Sequence, residues 1–158
     1  MQTDRDEDEY FMREALREAS KALEANEVPI GAVTVCGGRI AGRGHNLVET
    51  LADATAHAEM QAITAATQYT GGKYLNHCTL YVTVEPCPMC ASASAWSHIG
   101  RIVFGAADPK RGYTTVSSGL LHPKTEVTGG ILENECRRLM ESFFKKLRPT
   151  HCKNEPNV

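Results

Sequence analysis

The sequence has no run of apolar residues that approaches the roughly 20 needed for a membrane-spanning helix. Residues 1–9 are acidic and polar, unlike a signal or transit peptide, so a cytosolic location is the default expectation. No internal repeat or low-complexity segment is present in the 158 residues, a length that suits one domain with a real core. With 42% hydrophobic and 23% charged residues, the composition is that of an ordinary soluble globular protein.

A strong net charge is also lacking. The formal charge is −2, which does not by itself indicate a nucleic-acid-binding protein. The charge is nevertheless uneven, because residues 101–158 hold ten basic and six acidic side chains, a balance of +4. If the protein binds a polyanion, this C-terminal third should contact it. On charge alone, a solvated charged surface is the simpler interpretation.

The six cysteines have a different meaning in a cytosolic chain than in a secreted one. A cytosolic Cys-x-x-Cys pair more often binds a metal or is redox-active than forms a structural disulfide. We interpret Cys36, Cys78 and Cys136 as small buried residues, because they lie in apolar or amphipathic stretches. Cys152 lies in a polar tail, where we expect exposure. The Cys87–Cys90 pair is therefore the one that carries chemistry.

Periodicity and turn residues predict an alternation of helices and strands. The predicted elements are a helix capped by Asp8 and ending near Glu24, strands over 30–36 and 39–44, a helix from His57 to about Thr67, a strand over 78–84, a helix from Pro88 to about His98, a strand over 102–104, and a helix over 132–147. Residues 46–55 and 106–128 are predicted to be loops, with room for a strand near 125–127. Strands separated by helices indicate an α/β fold with a mostly parallel sheet and helices on both faces. We expect one domain over 1–148 and a disordered tail over 149–158.

Two motifs carry the chemistry, His57-Ala58-Glu59 and Pro86-Cys87-Pro88-Met89-Cys90. One imidazole and two thiolates occupy three of the four tetrahedral positions of zinc and leave the fourth to water. Side chains at i and i+2 can share a site only beyond the tip of a helix, and both motifs are predicted at helix starts. The positive ends of these helices favour thiolates. This residue order is the signature of zinc-dependent nucleobase deaminases.

The predicted chemistry is hydrolytic deamination. Zinc lowers the pKa of its water towards about 7. Glu59 would move a proton from this water to a ring nitrogen and then supply one to the departing amine, so that ammonia is lost from a ring carbon. The alternatives are a redox pair or a structural zinc half-site, with Cys78 or His98 as a fourth ligand. Closed structural sites usually combine two similar ligand clusters, which favours the catalytic interpretation.

Around these motifs the chain resembles the cytidine deaminase superfamily, and within it the bacterial tRNA-specific adenosine deaminases. The resemblance extends from about Tyr10 to Leu147 and is carried by residues 28–33, 44–46, 55–59, 80–87, 102–106, 130–132 and 143–144. It implies a three-layer α/β/α fold with a central mixed sheet of about five strands. It also implies one Zn²⁺ per subunit, a homodimer, and conversion of the wobble adenosine of tRNA anticodons to inosine.

The resemblance also assigns roles to individual residues. It implies zinc ligation by His57, Cys87 and Cys90, proton transfer by Glu59, and RNA or base contacts by Asn46, Ala58, Asp108, Lys110 and Phe144. Taken alone, Asn46 and Asp108 also suit turns, and Phe144 also suits a helix core. Ser92, Trp96 and Ala107 depart from the family pattern. The first two lie on the helix expected near the dimer interface, and Ala107 replaces a common arginine.

Two other functions remain open at this stage. The same zinc chemistry could act on a free base or nucleoside, such as guanine, cytosine or cytidine, in which case turnover should be insensitive to salt. A protein that binds RNA should instead lose affinity with salt, because bound phosphates release counterions. A non-catalytic RNA-binding protein with structural zinc is the third hypothesis, and it predicts that Glu59→Gln leaves function intact.

Overall fold

The computed structural model describes residues 1–147, and these residues form five helices and five strands. In chain order they are α1 (Gln2–Glu24), β1 (Gly31–Cys36), β2 (Arg39–His45), α2 (Val48–Leu51), α3 (Ala58–Thr70), β3 (Cys78–Val84), α4 (Pro88–Trp96), β4 (Arg101–Ala106), β5 (Glu126–Thr128) and α5 (Glu133–Leu147). Short 3₁₀ turns at Tyr113–Thr115 and Ser118–Leu120 precede β5. The predicted tail over 149–158, with Cys152, lies outside the described residues.

The strands form one mixed sheet in the order β2-β1-β3-β4-β5. The β1–β2 and β1–β3 pairs are antiparallel, whereas β3–β4 and β4–β5 are parallel. The expectation of a mostly parallel sheet is therefore wrong, and the five-stranded mixed sheet is confirmed. Gly37 and Gly38 explain the antiparallel hairpin, because their φ angles of 60° and 76° form the two-residue turn that reverses the chain between paired strands.

Helices cover both faces of the sheet, which confirms the three-layer α/β/α architecture. On one face, α3 and α4 pack on alternate residues of the central strands; this core includes Ala62, Ala91, Leu80, Val82 and Ile102. On the other face, α1 and α5 pack on the remaining residues; this core includes Met12, Val33, Tyr81, Val103 and Cys136. The period-2 alternation of β3 thus serves two cores at once.

Glycine lets α3 lie against the backbone of β2. A Cβ atom at Gly42 would lie 2.2 Å from the carbonyl oxygen of Ala62, so a larger residue cannot be placed there without movement of the helix or strand. This close approach places the start of α3, and therefore His57, relative to the sheet.

The prediction that Asp8 caps the first helix is wrong. The helix begins six residues earlier, at Gln2, and Asp8 is buried within it. Its carboxylate accepts hydrogen bonds from the Tyr81 hydroxyl at 2.9 Å and from the Arg101 guanidinium. The Asp8 carboxylate therefore takes part in a long-range ion pair and does not cap the end of the helix. The predicted loop over 46–55 likewise contains one helical turn, α2.

The interpretation of Cys36 and Cys78 as unpaired buried residues is also wrong. Their register in the β1–β3 pair places them directly opposite one another, with Cα atoms 4.4 Å apart, and they form a disulfide. This distance is within the range that a disulfide spans. Cys136 is buried and free, as predicted.

Two helices carry large apolar side chains that the single chain leaves exposed. Trp96, on the helix expected near the dimer interface, is 83% exposed. On α5, Phe143 is buried, whereas Phe144 is 46% exposed and Leu147 is also exposed.

Within the part of the chain that the structure describes, no helix is both long and apolar enough to cross a membrane.

Candidate active site

The structure brings the side chains of His57, Cys87 and Cys90 together. Both sulfur atoms lie 3.5 Å from Nδ1 of His57, and the three ligand atoms lie within 4.8 Å of one another. A tetrahedral zinc site with ordinary Zn–S and Zn–N bonds has an S···N edge of about 3.6 Å. The donor set and its spacing therefore fit one zinc ion.

Both motifs lie at helix starts, as predicted. His57 is the N-cap residue of α3, and Cys87 is the N-cap residue of α4, with Pro88 in the first turn. Pro88 suits this position because its missing N–H would have no helical partner there. Both helices direct the positive ends of their dipoles towards the three donors, which stabilises thiolate.

The protonation of the donors also suits metal binding. A hydrogen bond from the Cys90 thiol, with a smaller contribution from His57, lowers the pKa of Cys87 to about 4. Cys87 is therefore a thiolate at neutral pH. The same pairing and burial raise the pKa of Cys90 far above its usual range. Coordination deprotonates a thiol outright, so a bound cation would make both sulfurs thiolates.

The proposed fourth protein ligands are excluded by their positions. Cys78 is bonded to Cys36 at the start of β3, while Cys87 follows the other end of that strand. His98 lies beyond the C-terminal end of α4 and stacks on Tyr74, with ring centroids 4.3 Å apart. Among residues 1–147, no other His, Cys, Asp or Glu joins the three donors. The three-ligand set is that of a catalytic zinc site, whose fourth position takes water or substrate.

Glu59 lies in the first turn of α3 and is 4% exposed. Burial raises the pKa of its carboxyl group, and the Cys90 thiol lies beside it. A buried carboxyl with a raised pKa is suited to accept and return a proton near neutral pH. Ala58, between Glu59 and His57, is fully buried.

Asn46 is buried at the end of β2, close in the chain to α2. Its side-chain oxygen accepts a hydrogen bond from the Val48 backbone amide at 3.3 Å, and its own backbone amide donates to the Ile30 carbonyl at 3.1 Å. The turn role left open by the sequence is thus present. The base contact assigned by resemblance stays a prediction.

Asp108 also makes a turn. Its Oδ1 accepts hydrogen bonds from the amides of Lys110 at 3.1 Å and Arg111 at 3.0 Å. The side chains of Lys110 and Arg111 are exposed. This turn presents two adjacent cations, of which sequence reasoning identified only Lys110. Their contact with RNA stays a prediction, as does that of Phe144.

Sequence reasoning also missed two buried glutamates, of which Glu85 adjoins the Cys87 motif. Glu27 is fully buried and accepts hydrogen bonds from the amides of Glu49 at 2.7 Å and Thr50 at 3.2 Å, which anchors α2. Glu85, two residues before Cys87, is 7% exposed and binds Thr114. The available signal was that each glutamate lies close in the chain to an apolar strand. The groups that each glutamate binds, however, lie far away in sequence.

Comparison with known proteins agrees with this geometry. Residues 5–106 match the family model for the cytidine and deoxycytidylate deaminase zinc-binding region. The tRNA-specific adenosine deaminase of Bacillus subtilis (strain 168) is 48% identical over 147 residues, covering 90% of this chain and 91% of that protein. The protein of the same name from Aquifex aeolicus (strain VF5) is 45% identical, with 89% and 95% coverage.

A solved structure gives the same result. It comes from a study of A-to-I editing by tRNA:A34 deaminases at the wobble position of transfer RNA. Its TM-score is 0.76 at 40% identity, with 82% of this chain and 98% of that chain covered. The chain therefore belongs to the cytidine and deoxycytidylate deaminase family, in the branch that contains the tRNA-specific adenosine deaminases.

Proposed function

We propose that the chain catalyses hydrolytic deamination of adenosine to inosine at the wobble position of a tRNA anticodon, with release of ammonia. The observation that carries this proposal is the three-donor site with Glu59 beside it, in a chain 40–48% identical to tRNA adenosine deaminases along almost its whole length. The substrate is inferred from the related enzymes of this branch, and the reaction class is inferred from the residues of the site.

Each residue of the site has a distinct task. His57, Cys87 and Cys90 would hold the metal, which when bound supplies Lewis-acid activation of water at neutral pH. Glu59 would take one proton from the water at its carboxylate, hold it away from bulk water, and deliver it to the purine ring nitrogen. It would then carry a second proton, from the hydroxyl group added to the ring carbon, to the leaving amine. The buried Ala58 would form part of the wall against the base.

Contacts with the RNA form the second part of the proposal. Asn46 would bind the flipped-out nucleotide. Asp108 would hold the turn that presents Lys110 to the RNA backbone next to that nucleotide. Phe144 would offer its half-exposed ring on α5 to the RNA. The support is the exposure of Lys110 and Phe144, together with the resemblance of these positions to the family.

Residues 1–148 would form a single deaminase domain that acts as a cytoplasmic homodimer with one zinc ion per subunit. The support for a dimer is Trp96, whose 83% exposed indole on α4 presents a large apolar surface to solvent in the single chain. Burial of such a side chain is worth about 1.5–3 kcal/mol. Tryptophan is one of the residue types that are enriched at protein interfaces relative to the rest of the surface.

A product assay tests the function. Zinc-loaded protein is incubated with an anticodon stem-loop that carries adenosine at the wobble position, and with a matched stem-loop in which that adenosine lies one nucleotide 3′. Parallel reactions contain free adenosine, guanine, cytosine and cytidine. We expect inosine in the first RNA alone, with a rate at limiting RNA that falls as salt rises.

Other outcomes would point to the competing functions. Turnover of a free base or nucleoside alone would retain the zinc chemistry and replace the substrate. Tight RNA binding without any product, in protein with a full complement of zinc, would favour the non-catalytic RNA-binding hypothesis. Either result would contradict the proposed function.

A further inference from the structure

We propose that Glu85 and Thr114 form a latch that positions the loop over residues 108–115, here called the substrate loop, beside the metal site. Glu85 and Thr114 are then positioning residues for substrate binding. The inference rests on the proposed function, because its consequence is measured on the RNA substrate.

The latch consists of a buried carboxylate and a loop residue 29 positions away in sequence. Oε2 of Glu85 accepts hydrogen bonds from the Thr114 hydroxyl at 2.9 Å and from the Thr114 amide at 3.3 Å. The Glu85 amide donates to the Ala106 carbonyl at 2.8 Å, so Glu85 is itself held against the end of β4. A charged acceptor with two donors in a buried place forms stronger hydrogen bonds than a neutral one.

Further bonds tie the substrate loop to the Cys87 motif. The Tyr113 amide donates to the Pro86 carbonyl at 2.8 Å, and the Tyr113 ring is buried in the core shared with α3 and α4. At the start of the loop, the Gly112 amide donates to the Asp108 carbonyl at 2.9 Å. That bond lies within the loop. The outer attachments are Ala106, bound to Glu85 just before the loop begins, and Tyr113 and Thr114 near its end, with Lys110 between them.

Gly112 provides the space for the latch. A Cβ atom at this position would lie 1.7 Å from Oε2 of Glu85 and 2.6 Å from the Asp108 carbonyl oxygen. The backbone of Gly112, with φ −63° and ψ 151°, is one that any residue can adopt. Glycine is therefore required here for the close approach of the carboxylate and not for its conformational freedom.

The consequence is preorganisation of the substrate loop. Lys110 and Arg111 are exposed on a loop that is bound on both sides to the residues immediately before Cys87. Their distance from the metal site should therefore vary little. A loop already ordered before binding does not lose conformational entropy when the substrate arrives. Release of the latch should therefore weaken RNA binding while leaving the metal ligands in place.

The test compares latch variants by three measurements in the zinc-loaded protein. Thr114→Val removes the hydroxyl at nearly constant volume, and Glu85→Gln replaces the carboxylate with an amide. Thr114→Ser keeps the hydroxyl and removes only the methyl group. Thr64→Val, at an exposed threonine of α3, is the matched control. The measurements are zinc content, amide hydrogen exchange over residues 108–115, and kcat and KM for the anticodon stem-loop.

We expect Thr114→Val and Glu85→Gln to speed exchange of the substrate loop several-fold and to raise KM about tenfold, the effect of losing one hydrogen bond to a charged group. Zinc content and kcat should remain near the wild-type values. Thr114→Ser and Thr64→Val should resemble the wild type in all three measurements. Gly112→Ala should reproduce the latch variants without removing any polar group.

Three results would overturn the latch. Unchanged exchange in Thr114→Val would show that the hydroxyl does not hold the loop. Faster exchange with an unchanged KM would show that the loop is not used for substrate binding. Loss of zinc together with the higher KM would assign Glu85 and Thr114 to the metal site instead. If the wild type turns over only a free nucleoside, the proposed function fails, and exchange together with the KM for that nucleoside still decides on the latch.

Discussion

Gly44 on β2 and Ala58 in the first turn of α3 approach so closely that a Cβ atom on Gly44 would lie 2.3 Å from the Ala58 carbonyl oxygen. The same atom would lie 2.8 Å from the Gln61 Cβ. Because His57 and Glu59 flank Ala58, this strand–helix distance sets the position of one metal ligand and of the proton-transfer group.

Gly44→Ala should therefore displace the start of α3. We expect a loss of turnover of about a hundredfold, the effect of a shift of about 1 Å in a catalytic group. Overpacking should also lower the free energy of unfolding by about 1–3 kcal/mol. Gly72→Ala is the control, because a Cβ there meets no atom within 4 Å. Kinetics and urea unfolding of both variants check this, and undiminished turnover in Gly44→Ala would argue against it.

The ion pair between the buried Asp8 and the partly exposed Arg101 of β4 should contribute more to stability than a surface ion pair. Two nitrogens of Arg101 donate to the two carboxylate oxygens of Asp8, both at 2.7 Å, and one of them also donates to Thr128. Arg101→Ala leaves the carboxylate buried, so we expect a loss of about 2–4 kcal/mol in urea unfolding. The exposed pair between Arg5 and Glu9 on the same helix gives the comparison.

That comparison is made with Arg5→Ala. The Arg5–Glu9 pair is separated by 3.4 Å on the surface, and such pairs contribute about 0.3–0.5 kcal/mol. Equal costs for the two arginine variants would contradict the assignment of Asp8 to a buried structural pair.

Glu18 should make stability depend on acid pH. Burial acts to raise the pKa of its carboxyl group, but hydrogen bonds from Lys21 and His45 and the charge of Arg43 outweigh burial and lower the pKa. Its stabilising contribution is therefore complete above the ordinary pKa of a glutamate, about 4.3, and is lost as the pH falls through the lower folded-state pKa. The advantage of the wild type over Glu18→Gln in unfolding free energy should shrink as the pH falls below about 4.3. The exposed Glu24→Gln should show no such trend.

Metal loss should distinguish the two buried free cysteines. Cys90 and Cys136 are both buried, but only Cys90 belongs to the donor set. We expect Cys90→Ala to lose bound zinc and turnover and to unfold at a lower temperature, because metal binding is coupled to folding. Cys136→Ala should retain one zinc ion per subunit, measured by elemental analysis. Full zinc content in Cys90→Ala would contradict the assigned ligand set.

The local features of this chain could be predicted from the sequence, and the long-range pairs could not. The start of α4 directly after Cys87 follows from the preference of Pro88 for the first turn of a helix. The Cys36–Cys78 disulfide depends on β1 lying beside β3 in one register, which no local pattern specifies. The same applies to Asp8, whose partner Arg101 is 93 residues away.

The buried Glu85 beside the Cys87 motif shows the same limit. The position of Glu85 before Pro86 and Cys87 suggests a role, but its partner Thr114 lies in a segment without periodicity. Irregular loops are held by individual hydrogen bonds and not by a repeated pattern, so their contacts appear only once the fold is known.

The most direct test of the account is inosine formation at the wobble adenosine of the anticodon stem-loop by the wild type and by Glu59→Gln. Proton transfer by a positioned side chain contributes about 10²–10⁴-fold to a rate. We therefore expect inosine from the wild type, and a rate lower by at least about a hundredfold in Glu59→Gln, with zinc content and unfolding temperature retained. Undiminished inosine formation by Glu59→Gln, with the same zinc content and fold, would contradict the central claim.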